Sequence, residues 1–131
     1  MKIAFKESTE LQLINPFTEE PLEDSKGKPM IAIVFGKHTP RYKNALNKLL
    51  KGSPKKAKNQ SDEEKFIEAQ KQGLDLLCCC VGEFRDVNIE TENGQLDPTD
   101  IRSMLEVEWI RSQIDTAIVE TALFSADLKK T

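Results

Sequence analysis

The sequence predicts an α+β fold, mainly helical, with short N-terminal strands packed on about four helices. Three observations point there. Apolar residues in the first third come in short alternating or β-branched runs, whereas beyond residue 39 they recur at helical spacing. The helical segments open on recognisable caps, two of them started by proline and one a capping box. The length, 131 residues, is that of one domain able to bury roughly two-thirds of its unfolded surface. Residues 1–131 therefore read as a single domain, strand-rich over 1–36 and helical over 39–131.

Ile3-Ala4-Phe5 and Leu11-Gln12-Leu13-Ile14 read as the first strands. From Asn15 to Pro29 three X-Pro steps, a glycine and dense polar residues predict an irregular excursion. Met30-Ile31-Ala32-Ile33-Val34-Phe35-Gly36 is the clearest strand signal, nearly all apolar and closed by Gly36. Thr39-Pro40 then supplies a hydroxyl cap and a first-position proline, and Tyr42, Ala45, Leu46, Leu49 and Leu50 form one apolar stripe, predicting a helix over 40–51. Gly52 and Pro54 end it, and the lysine-rich stretch near 52–60 reads as a mobile loop.

Ser61-Asp62-Glu63-Glu64 is a capping box with acids at the positive end of the helix dipole, predicting a helix over 62–81. Phe66, Ala69, Gln70, Gly73, Leu74, Leu77, Cys78 and Val81 would be its inner face, with Cys78 packing as a small hydrophobe and Gly82 as the stop. From Glu83 to Gln95 the chain is less regular: Val87-Asn88-Ile89 reads as a short strand and Glu92-Asn93-Gly94-Gln95 as a tight turn. Asp97-Pro98 opens a helix over 98–105. A shift in apolar phase near 105–108 starts another over 107–127, with the stripe Trp109, Ile110, Gln113, Ile114, Ala117, Ile118, Thr121 and Leu123 or Phe124. Trp109 is expected to be largely buried where these two helices meet.

Composition excludes several classes. No apolar run approaches the ~18 residues of a membrane span, and the charged N-terminus does not resemble a signal peptide. The three cysteines are consecutive, Cys78 to Cys80, so on a helix they cannot pair with one another or close around one metal ion; an odd, clustered thiol count suits a reducing cytoplasm. The net charge of −3 conceals an asymmetry: residues 41–60 carry seven basic side chains and no acid, which leaves −10 on the rest. Such a dipole favours head-to-tail self-association or an acidic partner, while the acidic body would repel a nucleic-acid backbone.

Catalytic signals are absent from the sequence. The one histidine, His38, flanks a helix start some forty residues from the cysteines, and no zinc, P-loop or dithiol spacing occurs. The acids at Glu83 to Asp86 and Asp97 to Asp100 have local roles as loop charges and caps. No catalytic, cofactor or metal residue is assigned, and no cofactor is expected. Lys51, Lys55, Lys56 and Lys58 are candidate partner-binding residues, solvated-loop lysines being the plainer reading; only Tyr42 lies near them for base stacking.

The order of features carries a resemblance. Phe5 is followed by Asn15-Pro16-Phe17-Thr18-Glu19-Glu20-Pro21-Leu22, Asp24, Gly27-Lys28-Pro29-Met30, an apolar strand, and Gly36-Lys37-His38-Thr39-Pro40-Arg41-Tyr42 at a helix start. Later come an apolar run from Leu76 to Val81, an acidic loop with Asn93-Gly94, a proline-started helix, Trp109-Ile110, Gln113-Ile114 and a late Phe124. Across nearly its whole length this resembles the tail assembly chaperones of long, flexible-tailed bacteriophages and prophages, with His38, Thr39 and Glu83-Phe84 departing from the usual pattern. The resemblance implies a non-enzymatic assembly factor of the infected cell's cytoplasm, absent from the mature virion. It would coat the tape measure protein, help recruit tail tube subunits and associate with itself, often with a longer frameshifted form beside it. An amphipathic last helix with few charges between Asp115 and Asp127 suits that task, making Ile118, Leu123 and Phe124 further candidate contacts. The alternatives are a small nucleic-acid-associated regulator using residues 41–60, or a structural tail component that stays in the particle.

Overall fold

The computed structural model describes residues 4–52 and 61–124. Strands β1 (Ser8–Gln12), β2 (Ile31–Phe35) and β3 (Val81–Arg85) form an antiparallel sheet in the order β1-β2-β3. Helices α1 (Pro40–Gly52) and α2 (Asp62–Cys79) lie in sequence between β2 and β3. A small hairpin, β4 (Glu90–Thr91) and β5 (Gly94–Gln95), precedes α3 (Ile101–Leu105) and α4 (Glu108–Val119), and a 3-10 turn over Thr121–Phe124 follows. The fold is α+β.

Period-two alternation gives the sheet one inner face. Ala32 and Val34 of β2 are buried, while Ile31, Ile33 and Phe35 are half-buried on the other side. Against the inner face pack Met104, Leu105, Ile110, Ile114, Ala117 and Ile118 from α3 and α4, together with Leu77 and Cys80 at the end of α2. These two layers form the hydrophobic core. On the outer side, the Arg41 guanidinium sits 4.3 Å over the Phe35 ring, and Arg85 pairs with Glu83 and Glu10.

Strand β3 departs from the sequence expectation, and a bulge is the reason. Val81 pairs with Val34 and Glu83 with Ile33, so Gly82 is an extra residue in the ladder. The insertion breaks the alternation, and Val81 and Phe84, three apart, both point into the core. A strand with that spacing has no period-two signature, and the expected helix over 62–81 absorbed its first residue. Helix α2 ends at Cys79, and Cys80, rather than Cys78, is the fully buried thiol. No strand forms over 87–89; Val87 is buried singly, and the carbonyl of Ile89 accepts from the amide of Leu96 beside the hairpin.

The caps were legible. Thr39 is buried; its hydroxyl donates to the Gly36 carbonyl (2.8 Å) and accepts the Tyr42 amide (3.2 Å). Ser61 and Glu64 make the full capping box. At α3 the cap moves from Asp97 to Asp100: Asp97 closes an Asx turn on the Thr99 amide (2.9 Å), and Asp100 accepts from Ser103 (3.1 Å). The last helix stops at Val119 rather than reaching 127, because Glu120 turns extended and the chain folds back. In that return the Phe124 carbonyl accepts from the Lys6 amide (2.7 Å), and the Phe124 ring lies edge-on to His38, which also touches Phe5. Of the expected strand 3–5, Ile3 lies outside the described residues and Ala4 and Phe5 belong to no named strand; the run expected over 11–14 is strand only to Gln12, within a β1 that begins at Ser8.

The expected inner face of α2 is corrected over half its length. Residues 62–71 are all exposed, Phe66 at 62% and Ile67 at 57%, and only Leu77 on this helix is buried. An 18-residue helix spans about 27 Å, whereas five-residue strands reach about 17 Å, so the N-terminal turns of α2 overrun the core.

Candidate functional site

The excursion between β1 and β2 is ordered, and it builds one wall of a groove. Asn15 Oδ1 accepts the amides of Phe17 (2.8 Å) and Thr18 (3.2 Å), an Asx turn that leaves Phe17 at the tip, 91% exposed. Glu19 takes the left-handed conformation, φ 63°, and the turn closes through the Asn15 amide onto the Glu20 carbonyl (2.9 Å). A second Asx turn, with Asp24 accepting from Lys26 and Lys28, returns the chain to β2; the Lys28 amide holds the Asp24 carboxyl below its ordinary range.

The other wall is α4. Its buried stripe, Ile110, Ile114, Ala117 and Ile118, faces the sheet, while Trp109 and Gln113, one turn apart, flank that stripe and face the excursion. Gln113 stitches the walls together: the Ile14 amide donates to Gln113 Oε1 (2.9 Å), and Gln113 Nε2 donates to the Ile14 carbonyl (2.7 Å). Both backbone groups of Ile14 are thus satisfied by a side chain 99 residues away.

On either side of this stitch lies an open hollow. One, about 460 Å³, is lined by Asn15, Pro16, Phe17, Leu22, Trp109 and the Ile89–Glu92 segment. The other, about 260 Å³, is lined by Leu11, Ile14, Gln113, Ala117, Leu123 and neighbouring polar residues of α4. Both flank α4, share no lining residue and are separated by the Gln113–Ile14 stitch; the two form a mostly apolar, interrupted groove along α4. Its charged members are Glu90, Glu92 and Glu120, and no Lys or Arg lines either hollow. Such a surface can shield an apolar stripe of another chain without covalent chemistry.

The expected contacts fare unequally. Ile118 and Phe124 belong to the core and offer no outer surface, which narrows the face expected of the last helix; Leu123, 42% exposed, lines the groove. Lys51 is exposed in the last turn of α1, while Lys55, Lys56 and Lys58 lie outside the described residues. Trp109 is half-buried rather than largely buried, with part of its ring in the groove. In the sequence Ile14, Phe17 and Gln113 stand out only as parts of a strand, a turn motif and a helical stripe, not as site residues. An aromatic in a polar turn, with no apolar neighbour to pair with, was the available signal for Phe17.

His38 Nε2 lies 2.9 Å from the Lys6 carbonyl, and its ring packs between Phe5 and Phe124, a structural placement. Burial pushes the Cys80 thiol up to about 11 and raises that of Cys78. Among the described residues no three His, Cys, Asp or Glu side chains are grouped to hold a metal ion, and no helix is long and apolar enough to cross a membrane. A second apolar patch, Leu50, Phe66 and Ile67, lies on the α1–α2 pair. Compared with family models, curated proteins and solved structures, the chain matches none.

Proposed function

We propose that this chain is a non-enzymatic tail assembly chaperone of a long-tailed bacteriophage or prophage. It binds the tape measure protein in the cytoplasm of the infected cell, helps recruit tail tube subunits, and is left out of the finished virion. The observation that carries this reading is the apolar groove along α4, with Phe17 held outward at its lip by a satisfied Asx turn. A chaperone for a long helical protein needs a rigid apolar surface that can bind weakly and repeatedly along it, and the core beneath α4 provides the rigidity. The order of sequence motifs from Asn15 to Trp109 supports the same reading.

Self-association belongs to this proposal. The basic α1 side chains Lys43, Lys48 and Lys51 are exposed, and the half of the chain after Val81 is acidic, so copies attract head to tail in a salt-dependent way. The acidic lining of the groove disfavours a nucleic-acid backbone at that surface, whereas the alternative of a nucleic-acid-associated regulator uses residues 41–60, of which 53–60 lie outside the described residues.

Coexpression with the tape measure protein of the same genome tests the reading. The chain should copurify with it, show salt-sensitive oligomers by light scattering, and be missing from purified particles. A strict monomer that retains no tape measure protein would sink the proposal, and presence in particles would make it a structural tail component instead.

A further inference from the structure

We infer that the groove along α4 takes a basic amphipathic α-helix of another protein, about three turns long, with its apolar stripe inward and Lys or Arg flanks over Glu90, Glu92 and Glu120. The inference rests on the chaperone reading, for which it names the chemistry of the segment bound.

Three features select this occupant. The first is the backbone. An added strand needs a free ladder of amides and carbonyls; β1 is an edge strand, but where its chain runs on into the groove wall the ladder is spent, since Gln113 takes both groups of Ile14, the Leu13 amide donates to Met30, and its carbonyl accepts from Leu22. A helix, whose backbone is satisfied internally, needs no such ladder. The second is length. Trp109 to Thr116 on α4 spans roughly 10 Å, and Leu123 extends the apolar floor beyond, which suits anchors at i, i+3 or i+4, and i+7 of a partner helix. The third is charge. The rim holds three exposed carboxylates, none in an ion pair among the described residues, and no cation. Basic flanks are steered in and acidic ones repelled.

A second copy of this chain fits less well. Its basic helix α1 keeps Tyr42, Ala45, Leu46 and Leu49 at least partly buried and exposes Leu50 alone of its stripe. Its exposed Phe66 and Ile67 sit among Asp62, Glu63, Glu64 and Glu68 with only Lys65 and Lys71 to balance them, a net acidic flank that the acidic rim disfavours.

Trp109 is the sole tryptophan and lines the groove, so its emission reports occupancy directly. Two Trp-free helical peptides with the same leucine stripe, one flanked by lysines and one by glutamates, are titrated into the full chain. The lysine peptide should shift emission to the blue and saturate, with affinity falling as salt rises, and the glutamate peptide should bind roughly tenfold or more weakly. The variant Glu90→Lys/Glu92→Lys/Glu120→Lys, with its fold checked by circular dichroism, should reverse the preference. Equal affinities, no emission change with either peptide, or a concentration-dependent blue shift of Trp109 emission without peptide would overturn the inference, the last by making a second copy the occupant. If the lysine peptide binds but no tape measure protein copurifies, the chaperone reading fails while this inference holds. If tape measure protein is retained equally by the charge-reversed variant, this inference fails alone.

Discussion

Leu123 and Phe124 are adjacent apolar residues with opposite environments, one lining the groove and the other fully buried against His38. The sequence places one or the other on the apolar stripe of a helix over 107–127, with both as candidate contacts, but the helix ends at Val119; the return at Glu120 carries no strong breaker and was not legible. Phe124→Ala should therefore destabilise the protein by about 3–5 kcal/mol in denaturant unfolding. Leu123→Ala should change stability by no more than about 0.5 kcal/mol, the range of ordinary surface substitutions. The thiols divide in a similar way. Cys79 is exposed, whereas Cys80 is buried and its thiol, with a pKa of about 11, is almost wholly protonated at neutral pH. Timed alkylation of the native chain followed by peptide mapping should label Cys79 first and leave Cys80 unmodified until the protein unfolds. Equal labelling of the two would contradict the placement of Cys80 under β2.

Among the elements, those with a chemical start signal or a continuous β-branched run were readable, and β3, defined by its bulge against β2, was not. Thr39-Pro40 and Ser61 to Glu64 mark α1 and α2 because a cap satisfies amides locally, within a few residues. β3 could not be read in the same way, since the bulge at Gly82 exists only against β2. That glycine has a packing reason: a Cβ there would lie 3.1 Å from Phe35 and 3.6 Å from Ile33. Gly82→Ala should cost roughly 1–3 kcal/mol, as overpacking does. Gly73, inside α2 with open space around it, gives the contrasting case: Gly73→Ala should raise stability by up to about 1 kcal/mol. Thermal melts of the two variants in parallel check the pair, and a loss at Gly73 matching that at Gly82 would refute the contact argument.

At the scale of the whole molecule, two groups of exposed apolar side chains among the described residues compete for the role of partner surface: Phe17 with Leu123 on the α4 groove, and Phe66 with Ile67 where α2 overruns the core. Of the second, the sequence marks Phe66 as part of a helical stripe, though as core rather than surface, and does not mark Ile67. The first was hidden, because it joins residues 14–22 to residues 109–123 through contacts that no local pattern encodes. The central claim is that the α4 groove, and not the α2 overhang, holds the partner. Its most direct test is copurification of coexpressed tape measure protein with the wild-type chain, with Phe17→Asp/Leu123→Asp and with Phe66→Asp/Ile67→Asp, each shown folded by circular dichroism. The account predicts that the groove variant loses the partner while the α2 variant retains it; full retention by the groove variant, or loss confined to the α2 variant, would contradict it.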